Sequence, residues 1–310
     1  MTEPFVRSDV QALLDQMNRP GAKRAVDVGL AEARSMMHAS RALLDAPTGA
    51  LAVLKDVAAG PCPMRLFDAR AERGPGPVMV FYHGGGFVLG DVDTHEPLCA
   101  EIARLIDLPV VSVDYRLAPE HPFPAGVEDA IASARWIAGQ PGELGREATS
   151  LVLAGDSAGA NFAIVAALAL RDEPANAPVA ASWAIYPPAN PTGRYPSLDE
   201  FGEGFMLSRA SMHWFDQCYR PDATDWRYDP LQRDQRGMPP TLVVTASLDP
   251  LRDQGRAYAA ACAQAGVSVV YLEAEGTIHG FMNLRKALPS AQADLERCIA
   301  HLKVMVGDVQ

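Results

Sequence analysis

Leu151-Val152-Leu153-Ala154-Gly155-Asp156-Ser157-Ala158-Gly159-Ala160-Asn161-Phe162-Ala163-Ile164-Val165-Ala166-Ala167-Leu168-Ala169-Leu170 is the stretch that decides the fold. Its first residues, Leu151 to Ala154, form an apolar run of the kind a strand buried on both faces requires. Its last, Ala158 to Leu170, read as a helix, and almost no chain is left between the two for a loop. The join fits the pattern G-x-S-x-G. Composition alone produces that pattern in roughly one chain in ten, so its setting carries the weight. A sharp strand-to-helix turn lifts a serine hydroxyl clear of the backbone, and glycines beside it allow close packing.

Working outward, similar apolar runs recur at Val78 to Tyr82, Pro109 to Val113, Trp183 to Tyr186, Thr241 to Thr245 and Val267 to Leu272. Leu51 to Leu54 and Met64 to Phe67 read as further strands about the turn Gly60-Pro61. Helical patterns lie between most of them, at Glu96 to Ile106, Val127 to Ala138 and Arg252 to Ala265. Strand alternating with helix predicts an α/β fold: a mostly parallel sheet, helices on both faces, and ligands at the carboxyl ends of the strands.

Two regions break the alternation. Val10, Leu13, Leu14 and Met17 recur at helical spacing behind Ser8, read as an N-cap, and a second helix is expected from Ala22 to Leu44. From Asn190 to Gly237 no clean strand appears, and Pro, Asp and aromatics are dense. A structureless loop of that length is unusual in a compact domain. The expected organisation is therefore an N-terminal helical cap segment (1–48), α/β core (49–189), a cap insertion (190–237) and returning core (238–310).

The formal net charge of −11 argues against nucleic acid or an anionic membrane surface as partner, since either asks for a basic face. No run approaches the roughly 18 apolar residues of a membrane span. The first residues lack a basic start followed by an apolar stretch. Cys62, Cys99, Cys218, Cys262 and Cys298 are odd in number and contain no CxxC, which favours buried free thiols. A cytoplasmic protein is expected, with no metal and no cofactor.

A serine hydroxyl attacks poorly until a base takes its proton. After a strand–serine–helix turn the partners follow in the order serine, acid, histidine. Among the histidines, only His213, His279 and His301 follow Ser157. His301 falls in a predicted C-terminal helix and His213 precedes the best acid. His279 follows the strand expected to end at Leu272, in the loop Gly276 to Gly280, where a base belongs. Asp249 comes just after the Leu242 to Thr245 run and is the expected acid; Asp253 is the runner-up, ahead of Glu273 and Glu275. Attack on a carbonyl creates a negative oxygen that needs hydrogen-bond donors. The loop His83-Gly84-Gly85-Gly86-Phe87 follows the Val78 strand, so Gly84 and Gly85 are the expected donors, with Ala158 from the turn. A phosphate-binding reading of these glycines lacks the following Lys-Ser/Thr. His83 is then expected to fix the loop.

His83-Gly84-Gly85-Gly86, Asp114 to Glu120, Gly155 to Gly159, Asp249-Pro250-Leu251 and His279-Gly280-Phe281 together resemble the bacterial hormone-sensitive-lipase-like (family IV) esterases, from about Leu51 to the C-terminus. The resemblance implies an eight-stranded α/β-hydrolase core, a helical cap from the N-terminus plus an insertion, and metal-free hydrolysis of short- to medium-chain esters by a monomer or homodimer. It implies scaffold roles for Arg116 and Glu120, and support of the turn by Asn161. The family often reads Asp-Glu-Gly where this chain has Asp253-Gln254-Gly255.

For the pocket, Tyr186, Met206, Leu207 and Phe281 are the candidate substrate contacts. Met17, Met36, Met37, Phe205, Trp214 and Phe215 are candidates either for an apolar cap surface or for packing. Lactone, amide or formamide hydrolysis would use the same residues. A receptor-like binding protein is disfavoured because Ser157, Asp249 and His279 are all present.

Overall fold

Val78, Val80 and Tyr82 face one way along their strand and Met79 and Phe81 the other, yet all are buried, because helices cover both sides of the sheet. The computed structural model of the chain describes residues 4–307. Its sheet has eight strands: β1 (Val53–Val57), β2 (Met64–Asp68), β3 (Gly76–Tyr82), β4 (Val110–Val113), β5 (Ala148–Asp156), β6 (Val179–Ile185), β7 (Thr241–Leu248) and β8 (Val269–Ile278). Their order is β1-β2-β4-β3-β5-β6-β7-β8. β1 with β2 and β2 with β4 are antiparallel, and all other pairs are parallel. This is the expected α/β-hydrolase fold. The order reverses beside β3, and such switch points open a crevice at the carboxyl ends of the strands.

One face is covered by α4 (Ala125–Ala138), α5 (Ala158–Asp172) and α8 (Arg252–Gln264). The other carries α1 (Ser8–Met17), α3 (Glu96–Ile106) and α9 (Ser290–Gly307). α5 is buried along almost its whole length, which explains its run of small and apolar residues. The remaining helices are α2 (Leu30–Leu44), α6 (Pro196–Phe201) and α7 (Arg209–Tyr219). The segment 190–237 thus holds two α-helices, a 3-10 turn at Pro230–Gln232 and no strand.

Several boundaries differ from expectation. α1 begins at Ser8 itself; Arg7 occupies the cap position, held by its N–H on the Gly276 carbonyl (3.0 Å) and by its ion pair with Asp294. The second helix starts at Leu30, because the chain is extended at Gly29 after a short 3-10 turn at Ala25–Asp27. β1 starts two residues after Leu51 and continues three past Leu54, which is exposed on this edge strand. β8 continues six residues past Leu272 and takes in Glu273 and Glu275. All five cysteines are free thiols, four of them buried.

Candidate active site

Three strands deliver the central residues. Ser157 is the first residue after β5, Asp249 the first after β7 and His279 the first after β8. Parallel strands bring their carboxyl ends to one edge of the sheet, so residues far apart in sequence meet there. His279 Nε2 lies 2.8 Å from Ser157 Oγ, and His279 Nδ1 lies 2.7 Å from Asp249 Oδ2. Asp249 is fully buried, and its other oxygen accepts the Leu251 N–H at 2.8 Å. The carboxylate is therefore held on both sides.

Ser157 has φ 52° and ψ −120°, a conformation side chains rarely adopt. Its N–H donates to the Ile185 carbonyl of β6 at 2.9 Å, which pins the turn. The flanking glycines are steric necessities. A Cβ on Gly159 would sit 1.9 Å from the Tyr82 carbonyl oxygen, and one on Gly155 2.3 Å from that of Gly159.

The rival acids Asp253 and Glu273 and the other two histidines that follow Ser157 make different contacts. Asp253 accepts from Ser197 N–H and pairs with Arg252 and Arg256. Glu273 pairs with Arg256. His213 is exposed on α7 beside Gln217, and His301 is exposed on α9.

The glycine loop corrects one expectation. Gly84 N–H is already committed to Asp156 Oδ1 at 2.8 Å, so it is not free for a substrate oxygen. Among the described residues, the N–H groups of Gly85, Gly86 and Ala158 have no hydrogen-bond acceptor. Gly86 and Ala158 both line the cavity over Ser157. Gly86 was missed in the sequence, although it belongs to the same glycine run. His83 stacks on Tyr115 at 4.2 Å beneath this loop, and Tyr115 OH donates to the His83 carbonyl at 2.6 Å.

The cavity has a volume of about 90 Å³, well below the roughly 300 Å³ at the small end of drug-sized pockets. Leu207, Met212, Phe215, Pro188, Pro191 and Leu251 supply its apolar wall. Of the four expected contacts only Leu207 lines it. Tyr186 is fully buried beneath the His279 ring, with centroids 4.7 Å apart, and Phe281 packs edge-on against Tyr186 below that. Met206 is an exposed residue at φ 70° outside the wall. Met37, Trp214 and Phe215 pack against one face's core, and Met17 and Phe205 against the other.

Two polar wall residues also escaped the sequence reading. Asp216 of α7 accepts from Tyr228 OH at 3.0 Å, and Gln254 Oε1 accepts the Asn190 N–H at 3.1 Å. Gln254 is the position where the family often carries Glu. Asn161 Nδ2, on α5, donates to the carbonyls of Pro188 (2.9 Å) and Tyr228 (3.0 Å) and so braces two wall residues. Arg116 pairs with Asp129 and Glu120 with Arg34, both away from Ser157. Among the described residues no cluster of His, Cys, Asp or Glu is suited to a metal, and no helix is long and apolar enough to cross a membrane.

Comparison with known proteins extends this geometry. A family described as having the alpha/beta hydrolase fold matches residues 79–283. Carboxylic ester hydrolase LipN of Mycobacterium tuberculosis is 38% identical over 261 residues, covering 81% of this chain and 69% of that protein. Ethyl acetate hydrolase of Pseudomonas putida is 35% identical over 232 residues, 74% of this chain and 73% of that one. Among solved structures, an ester hydrolase from the metagenome of Lake Arreo superposes with a TM-score of 0.92 at 36% identity, covering 97% of this chain and 99% of its own.

Proposed function

The chain belongs to the hormone-sensitive-lipase-like (family IV) esterases of the α/β-hydrolase fold and is a carboxylic ester hydrolase; from that premise we propose that Ser157 is its nucleophile, His279 its base and Asp249 its orienting acid, acting on short- to medium-chain esters. The observation that carries this is the unbroken chain from Ser157 Oγ through His279 to buried Asp249, at 2.8 and 2.7 Å.

Ser157 Oγ attacks the ester carbonyl as its proton passes to His279 Nε2. Asp249 accepts from His279 Nδ1–H, fixes the tautomer and stabilises the imidazolium. Ala158 N–H, at the positive end of α5, and the N–H groups of Gly85 and Gly86 receive the oxyanion. His279 then protonates the departing alcohol. Water activated by the same histidine attacks the acyl-enzyme and releases the acid.

The small volume and apolar wall favour short acyl chains, and one relative acts on ethyl acetate by name. Residues 190–237 supply Pro191, Leu207, Met212, Phe215, Asp216 and Tyr228 to the wall and so serve as a cap above Ser157.

Labelling with a fluorophosphonate followed by peptide mapping tests the reading. The probe is expected on Ser157, and Ser157→Ala should abolish it and lower kcat by about 10⁶-fold. A folded Ser157→Ala enzyme with near-native turnover would overturn it.

A further inference from the structure

Asp156, the residue between Gly155 and the nucleophile, has no place in the chemistry above, yet its carboxylate is the most connected polar group around the site. It is 3% exposed. Its Oδ1 accepts the Gly84 N–H at 2.8 Å and lies 3.3 Å from His95 Nε2. Its Oδ2 accepts from Asn283 Nδ2 at 2.9 Å and from Tyr186 OH at 3.3 Å. The two oxygens therefore grip different parts of the site. One holds the glycine loop after β3. The other holds the turn after β8, through Asn283, and the ring that supports His279, through Tyr186.

The grip on the glycine loop is close. A Cβ on Gly84 would fall 2.6 Å from Asp156 Oδ2 and 3.0 Å from the Asp156 carbonyl, so the loop lies directly on this residue. With Gly84 N–H turned onto the carboxylate, the next N–H groups along the loop are left without protein acceptors. A buried histidine, His95, stands beside this carboxylate. Burial alone would lower the pKa of His95, but the Asp156 carboxylate, together with Asp91 and Asp45, raises it. Burial would likewise raise the Asp156 carboxyl, but His95 and the Gly84 N–H hold it below the usual carboxylate range.

We propose that Asp156 is a positioning residue: its carboxylate clamps the oxyanion-binding loop and the His279 loop into one geometry, so that the oxyanion donors and the base address the same carbonyl. This rests on the assignment of Ser157 as nucleophile. Asp156 touches neither substrate nor reacting atoms; it acts through Gly84, Asn283 and Tyr186.

The test compares Asp156→Ala and Asp156→Asn with the native enzyme by three measurements: kcat and KM for a short ester, inhibition by a trifluoromethyl ketone, and fluorophosphonate labelling. The ketone forms a tetrahedral adduct and so reports on oxyanion binding. Asp156→Ala is expected to lower kcat and ketone affinity in parallel, by about 100-fold, as losing an oxyanion donor does, with KM little changed. Asp156→Asn keeps an acceptor for Gly84 N–H and should fall between native and Ala in both quantities. A purely structural role would not make kcat and ketone affinity move together while sparing KM. If Asp156→Ala does not fold, Asp156→Asn carries the test, with a loss of about tenfold expected in both quantities. Folded variants with unchanged ketone affinity, or with kcat and affinity moving independently, overturn the proposal. A native enzyme that takes no label on Ser157 fails the functional assignment instead, so the two failures are distinct.

Discussion

Gly155 and Gly159 face each other across the turn at Ser157, so near that a methyl group on the first would meet the carbonyl oxygen of the second at 2.3 Å. Both the second glycine and Tyr82 of β3 present backbone there, which cannot swing aside. Gly159→Ala would place its methyl 1.9 Å from the Tyr82 oxygen. The expected result is a loss of about 3 kcal/mol or more of folding stability, at the upper end for overpacking, read by urea unfolding. A Gly159→Ala protein as stable as the native one would contradict this account of the turn.

Asp249 and Asp253 are separated by one helical turn of sequence but have different surroundings. Asp249 meets His279 Nδ1 at 2.7 Å, while Asp253 is paired with arginines. Asp249→Asn leaves His279 with the wrong tautomer and should lower kcat by about 10⁴-fold. Asp253→Asn should leave kcat within about threefold, since its ion pairs are structural. Steady-state kinetics on one short ester decides between them, and a larger effect at Asp253 would reverse the assignment.

Phe215 sets the depth of the cavity. Its ring stands against Gly86, where a Cβ would be 2.4 Å away, and also lines the wall. Truncation opens the chamber over Ser157. Phe215→Ala is expected to move the preferred acyl chain at least two carbons longer and to lower kcat/KM for acetate esters. A series of p-nitrophenyl esters from acetate to decanoate measures the shift; an unchanged optimum would place the acyl group elsewhere.

His83 gives the fold a pH dependence of definite sign. Burial, aided by the nearby charge of His95, lowers its pKa from 6.5 to about 4. The unfolded chain therefore binds the extra proton first as pH falls, and the stability that His83 contributes is lost between about pH 6.5 and 4. The expected contribution is about 3 kcal/mol across that window. Urea unfolding at several pH values should show a shallower slope for His83→Gln than for the native protein. Equal slopes would mean that His83 is not the group responsible.

The features readable from the sequence were those set by short-range rules. Apolar runs marked the strands of the parallel region because both faces of each are covered, and the fixed order along the chain singled out Ser157, Asp249 and His279. β1 was misplaced because an edge strand lacks that continuous run; Leu54 faces solvent. The end of β8 was missed because Glu273 and Glu275 interrupt its hydrophobicity, although Glu273 is neutralised by Arg256. Gly84 was assigned the wrong duty because nothing in the glycine run reveals that Asp156, 72 positions away, takes its N–H. The wall residues Met212, Phe215 and Tyr228 could not be ranked beforehand, since their meeting over Ser157 depends on how 190–237 folds back across the sheet.

The cavity draws most of its wall from the stretch between Pro188 and Tyr228, whereas the three central residues stand at the tips of β5, β7 and β8. Machinery and gatekeeping thus occupy different parts of the chain. Drift in the insertion can retune admission one side chain at a time without disturbing the strand tips. The rigid sheet then works as a chassis on which lineages can exchange diets while keeping a common engine.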